Sequence, residues 1–294
     1  MDLERYAEEL KGYGRRVIPG SERSLWVSHS RFAMQRQPVF ALHTPAQKEL
    51  HEVFRRSWAS VLSFATTPSD LAPPNGYLYL CQNPRYSIES LGRSARSKVR
   101  CGLREFEIRF MPHSEFLSKG AQAYCDTIRR NGFRGRYTAQ DFATGYFHLQ
   151  PGTKYVGAFR DSSLAAFLMV VEVDDWVSIG SFSADEFLPL RPNNGLLYFA
   201  VRHYLCERKM RVVSYGLSSL QTRSNAEGLH VFKVNMGFDA MPIRRGLVVN
   251  PLLRPLVNGA SWVLVKSLLR LSRNHPLLRK AEGAMRMALP ASHS

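Results

Sequence analysis

The 294 residues suffice for one large domain or two ordinary ones, and an apolar fraction of 45% with 22% charged residues excludes a disordered chain. Forty Lys and Arg against twenty-four Asp and Glu leave +16. Such a charge suits an anionic partner (nucleic acid, a phosphate-bearing ligand or an anionic membrane), the bland counterpart being an arginine bias spread over the surface. Cys81, Cys101, Cys125 and Cys206 stand in no CxxC pair or ligand spacing, which reads as thiols in a reducing compartment with no metal site.

In chain order, residues 1–13 read as an amphipathic helix, and Ser24–Ser28 and Pro38–Leu42 as strands. Thr44-Pro45 opens a helix whose stripe is Leu50, Val53, Phe54, Trp58, Val61 and Leu62. Tyr77–Cys81 reads as a strand and Pro84–Leu103 as a helix carrying Arg93, Arg96, Arg100 and Arg104 along one side. That row is either a solvated face or a cationic wall for a phosphorylated ligand. Strand Glu107–Met111 is followed by helices Ser114–Arg129 and Thr138–Phe147. Tyr155–Phe159, Ser163–Val173 and Trp176–Ser183 form strands joined at Asp161-Ser162 and Asp174-Asp175. Helix Gly195–Arg208, strand Arg211–Tyr215, helix Asn225–Met236 and strand Ala240–Val249 complete the pattern. This order predicts an α/β (α+β) fold with a mixed central sheet flanked by helices.

One breaker stands out. Leu190-Arg191-Pro192-Asn193-Asn194-Gly195 interrupts the chain directly before an apolar helix. Free N–H groups and the helix dipole at such a point favour an anion. The backbone at Asn193, Asn194, Gly195 and Leu196, with Arg191, is therefore the candidate phosphate site. No GxxxxGK[ST] loop, GxSxG elbow or HExxH helix is present, and His148, His203 and His230 read as surface residues.

Three segments carry a family resemblance: Ser94–Arg104, Pro192–Leu197, and Phe232-Lys233-Val234-Asn235-Met236-Gly237-Phe238. Together they resemble the GNAT-fold N-acyltransferases, most closely the Fem-like branch that acylates amino groups of cell-wall precursors. The resemblance implies a GNAT-like domain over residues 107–250, a degenerate GNAT-like lobe over 1–106, and a helical tail over 251–294. It also implies acyl transfer to an amine on a small-molecule or lipid-linked acceptor. Arg191 and Gly195 lie one residue further apart than the coenzyme A loop of that fold requires, so acyl-coenzyme A and aminoacyl-tRNA both stand as donors. Splayed central strands would line the cleft with Ser183, Tyr215 and Ser218, and Arg96 and Arg100 would face the substrate. Within that frame Lys233 would stabilise an oxyanion, Tyr215 would return a proton and Glu172 would act as base. Each has a plainer reading: a lysine reaching solvent, a packed tyrosine, a structural ion pair.

In the tail, Leu253, Leu256, Val257, Ala260, Val263, Leu264, Ser267, Leu268 and Leu271 share a helical face flanked by cations such as Arg254, Lys266 and Arg270. The longest apolar run, from Leu256 to Leu271, is too short and too interrupted to span a bilayer. It suits an anionic membrane surface or packing on the body of the protein. The expectation is a cytoplasmic enzyme, peripheral on the inner membrane; the rival is a non-catalytic basic platform for nucleic acid or membrane.

Overall fold

The computed structural model describes residues 1–131, 138–144, 152–218 and 224–271. The chain runs α1 (Leu3–Gly12), β1 (Val17–Pro19), β2 (Leu25–Ser30), β3 (Ala33–Gln37), α2 (Gln47–Ser57), β4 (Val61–Thr66), β5 (Gly76–Cys81), α3 (Arg93–Glu105) and β6 (Glu107–Met111). It continues with α4 (His113–Lys119), α5 (Ala121–Arg130), α6 (Ala139–Thr144), β7 (Thr153–Arg160), β8 (Ser163–Val173) and β9 (Trp176–Ser183). The remainder is α7 (Pro192–Arg202), β10 (Val212–Leu217), α8 (Ser224–Asn235), β11 (Asp239–Val249) and α9 (Gly259–Leu271). Two compact units result. The larger rests on Leu78–Ser218 and reaches Met241, and the smaller joins Ala7–Tyr77 to the segment from Pro242. These junctions differ from the expected boundaries at 106 and 250, because β5 and α3 build the core of the larger unit.

In the larger unit the strand order is β5-β10-β9-β8-β7-β6. β6 to β9 form an antiparallel meander, and Asp161 and Asp174, both at positive φ, make its two tight β7–β8 and β8–β9 turns. β9 then connects through α7 to β10, its parallel neighbour, which is antiparallel to β5. Leu164 to Val170 of β8 are continuously buried because both faces of the sheet are covered. On one face Ala166, Leu168 and Val170 meet Val99 of α3 and Leu196, Leu197 and Val201 of α7. On the other, Phe167 and Met169 meet Phe116 of α4 and Ala123 of α5. Phe116 stacks on Tyr155 at 3.8 Å and Phe167 on Phe182 at 4.8 Å.

The helix pair α3/α7 packs unusually closely. A Cβ on Gly102 would lie 2.6 Å from the Arg191 carbonyl oxygen and 2.9 Å from the Gly195 nitrogen. One on Gly195 would lie 3.0 Å from the Gly102 carbonyl carbon. Only hydrogen fits at either position.

In the smaller unit the order is β1-β2-β3-β4-β11, and β11 runs antiparallel to β4 from Arg244↔Thr66 to Val249↔Val61. α2 covers this sheet with Leu50, Val53 and Phe54 against Trp26, Met34 and Leu62. The Trp26 indole donates to Glu49 at 2.8 Å. Arg36 is buried in the same core, donating to the Ser24 hydroxyl, the His43 carbonyl and the Ser21 carbonyl at 2.7–3.0 Å.

Several elements depart from expectation. The third strand is Ala33–Gln37 and not Pro38–Leu42. α2 stops at Ser57, where Trp58 turns left-handed, and Val61–Thr66 is a strand. α3 begins at Arg93 rather than Pro84, and the expected Ser114–Arg129 helix breaks at Gly120. α9 buries Trp262 but leaves Val263 and Leu264 exposed, so the tail helix packs on one side alone. The expected Thr138–Phe147 helix and the tail extend beyond the described residues. Replacing Gly102 by Ala gains about 1 kcal/mol of helix propensity but forces backbone apart at a cost of about 1–3 kcal/mol. Gly102→Ala is therefore expected to lower the urea midpoint at unchanged slope; a midpoint equal to or above the parent's would mean the helices separate freely.

Candidate functional site

β9 and β10 pair only at their beginnings, through Val212↔Trp176, Val213↔Val177 and Ser214↔Ser178. Beyond Ser178 the two strands part, and β10 loses register with β5 between Ser214 and Leu217, where Gly216 takes φ +69°. The bulge at a strand end turns backbone and side chains away from the ladder. Across the split the Ser181 and Tyr215 hydroxyls hydrogen-bond to one another.

Lys233, from α8, lies beneath them. It is 3% exposed, donates to the Tyr215 carbonyl at 3.1 Å, and stands 4.1 Å from the ring centre of Tyr79 and 4.5 Å from that of Tyr215. Carbonyl and ring faces replace part of its lost hydration. No carboxylate forms an ion pair with it among the described residues. Burial consequently pushes the ammonium down to about 8. Burial raises the Tyr215 phenol, while the bond with Ser181 pulls the other way. Tyr79 shares a 2.9 Å hydrogen bond with His230 Nδ1, one helical turn before Lys233.

His230 was expected at the surface, yet it is half-buried and bonded to the site. His203, also half-buried, meets Glu207 at 2.8 Å, and His148 lies outside the described residues. Tyr79, Ser181 and His230 were absent from the expected set. Two signals for them exist: Ser181 shares a strand face with Ser183, and His230 shares a helix face with Lys233.

Glu172 is not part of this cluster. It faces Val177 across β8–β9, four residues before Ser181, or roughly 13 Å along the strand. Its carboxylate accepts from Tyr204 and Lys154, both at 2.6 Å. Burial pushes its pKa up, but those two bonds outweigh it and leave the group below the ordinary carboxylate range. Glu172, expected either as base or as a structural ion pair, is here anchored to Lys154 and Tyr204. Ser183 is likewise occupied: its hydroxyl accepts from Arg130 at 2.8 Å and Asn193 at 3.0 Å, and its backbone pairs with Thr127. Ser218 is half-buried at the end of β10.

The phosphate turn is also different from its expected form. Pro192 has no N–H to offer, and those of Asn194 and Gly195 point back to the Arg191 carbonyl at 3.1 and 3.5 Å. Gly195 is further covered by Gly102, Leu196 lies in the core, and the Asn194 side chain reaches Met236. An exposed Arg191 side chain, held at φ +64°, and the Asn193 backbone remain for an anion. On α3, Arg96 is half-buried and Arg100 exposed, opposite the buried Ala95, Val99 and Gly102. No cluster of metal-ligating side chains occurs among the described residues.

No family model and no curated protein matches the chain. Solved structures do. The C-terminal domain of an Agrobacterium fabrum protein assigned as a lysylphosphatidylglycerol synthetase aligns with a TM-score of 0.56 at 14% identity, over 91% of this chain and 96% of that one. FemX aligns at 0.56 and 12% identity, over 85% and 92%. The lysylphosphatidylglycerol synthetase of Bacillus licheniformis aligns at 0.51 and 15%, over 86% and 92%. At these identities the likeness is one of fold: the chain has the GNAT-like fold of FemX and of the lysylphosphatidylglycerol synthetase domain.

Proposed function

We propose that this protein is a transferase that moves an aminoacyl or related acyl group from an activated donor to an amine on a small or lipid-borne acceptor. The observation that carries the reading is the split between β9 and β10 with a buried lysine beside it, for which no carboxylate ion pair occurs among the described residues. A donor carbonyl seated at the split would develop negative charge on oxygen as the amine attacks. Lys233, mostly protonated near neutrality, would stabilise that oxyanion in a site where water screens little. As the acyl–oxygen bond of the donor breaks, the Tyr215 hydroxyl, bonded to Ser181, would give its proton to the leaving oxygen and recover one from the attacking amine. Tyr79 and His230 would hold the lysine in place.

Among donors the reading favours aminoacyl-tRNA over acyl-coenzyme A. A turn with so few free amides suits a pyrophosphate poorly, whereas a chain of +16 suits a long polyanion. The name lysylphosphatidylglycerol synthetase describes an amino acid joined to a phospholipid, which supports an aminoacyl group and a lipid-borne acceptor here. Calorimetry is expected to give tRNA binding that weakens steeply with salt and none for coenzyme A, with Arg191→Ala weakening the former. The reverse preference would return coenzyme A as donor.

Lys233→Met is expected to slow transfer of labelled amino acid from aminoacyl-tRNA into a lipid extract by about 10²-fold or more, as loss of one oxyanion donor does. A near-normal rate would reduce Lys233 to a packing residue.

The same amine makes a stability prediction. Its folded pKa of about 8 lies below the unfolded value, so between about pH 8 and pH 10 the unfolded chain binds more protons and stability rises with pH. Relative to Lys233→Met, the parent is expected to gain up to about 1.4 kcal/mol per pH unit across that window. Urea titrations of both proteins from pH 7 to about pH 10 would show it; parallel curves would place the amine in water.

A further inference from the structure

At one edge of the smaller unit, three loops bring large apolar side chains into water. They are the β2–β3 turn with Phe32, the α2–β4 link with Trp58, and the segment after β11 with Leu252. Backbone ties hold them together. Ser60 donates to the Phe32 carbonyl at 2.8 Å, Asn250 to the Ser60 carbonyl at 2.9 Å, and the Asn250 side chain to the Ala59 carbonyl at 3.0 Å. Arg16 bridges the carbonyls of Ser57 and Arg31. This edge is therefore a single fixed surface, where β2 and β11 end and β3 and β4 begin.

What it presents is costly in water. Trp58 is 86% exposed, Leu252 87% and Phe32 59%. Trp58 also follows the last residue of α2 in the left-handed region, at φ +53°, a place helices commonly give to glycine. A bulky apolar residue that is both strained and solvated has no folded-state benefit to offset those costs. α9 follows the 3-10 turn Pro251–Leu256 and adds Val263 and Leu264, exposed next to the buried Trp262.

The charges beside these tips leave a positive excess. Glu52 pairs with Arg56, and Arg31, Arg55 and Arg254 are exposed with no acidic partner among the described residues. A protein partner of ordinary mixed charge would not call for that pattern. Aromatic and aliphatic tips ringed by arginine match the interface of an anionic bilayer, where indole settles at headgroup depth and each cation adds attraction. We infer that this edge docks the protein on an anionic lipid surface, the tips entering the headgroup layer. No helix among the described residues is long and apolar enough to cross a membrane, so the contact is a surface one. The inference does not depend on the transfer chemistry.

Full-length protein should sediment with phosphatidylglycerol-containing vesicles and not with pure phosphatidylcholine, and high salt should release it. Trp26, Trp176 and Trp262 are buried, so Trp58 is the tryptophan that reports on contact. Its emission should shift to the blue on anionic vesicles and be quenched by brominated lipid, and both responses should vanish in Trp58→Phe. The triple variant Phe32→Ser, Trp58→Ser, Leu252→Ser should keep its melting temperature yet bind at least about tenfold more weakly, and so should Arg31→Gln with Arg254→Gln. Unchanged vesicle binding in both variants would overturn the proposal. So would binding by RNA alone, or a Trp58 emission indifferent to lipid, and the last test decides the matter even if the triple variant fails to fold.

Discussion

The backbone contact between Gly102 and Gly195 governs the larger unit. With two hydrogens at the crossing, α3 lies on the first turn of α7 and fixes where that helix begins. The start of α7 in turn sets the course of the β9–α7–β10 crossover, a connection between parallel strands that leaves little choice once one end is pinned. Val99, Leu196 and Val201 fill the space that remains. The same contact covers amides that a helix start would otherwise present to an anion. One close approach thus gives the unit its core and covers the Gly195 end of its most conspicuous helix start.

Two buried ionic groups in this unit show how differently a charge can be handled. Glu172 has a lysine and a tyrosine at 2.6 Å and is stabilised as the anion. Lys233 has a carbonyl and two ring faces, which compensate a cation only partly, and its ammonium is held less firmly. Desolvation without a counter-charge is the usual way a protein brings a lysine into the range where it can change charge state. Such an arrangement costs stability and is more common at functional sites than in plain cores.

The sequence made the centre of the fold legible and its margins less so. β7, β8 and β9 were plain because unbroken apolar runs end at Asp-led turns, and α7 because its breaker is so marked. β3 was missed because alternation of apolar residues cannot count Arg36 as an inward position, yet Arg36 is buried by three hydrogen bonds. Val61 and Leu62 fell at helical spacing from Phe54, and only the left-handed Trp58 reveals that the helix has already ended. At the site, Lys233 and Tyr215 come from separate segments, and only the fold brings them into contact. Glu172 lies opposite Val177, four residues along β9 from Ser181, and such a height on a strand is something that periodicity does not contain. The occlusion of the α7 turn depends on Gly102, ninety or so positions away in the chain, and no local pattern announces it.

The pairing of β4 with β11 has a consequence for synthesis. Val61 finds Val249 only after nearly the whole described chain has been made. At about 5–20 residues per second the ribosome needs roughly 10–40 s to traverse that interval. Throughout it the apolar edge of β4 has no partner strand, while the larger unit has most of its sequence in hand and can collapse first. The nascent smaller unit is thus a waiting template for any extended segment nearby, and a chaperone that shields β4 would act on it before release rather than after.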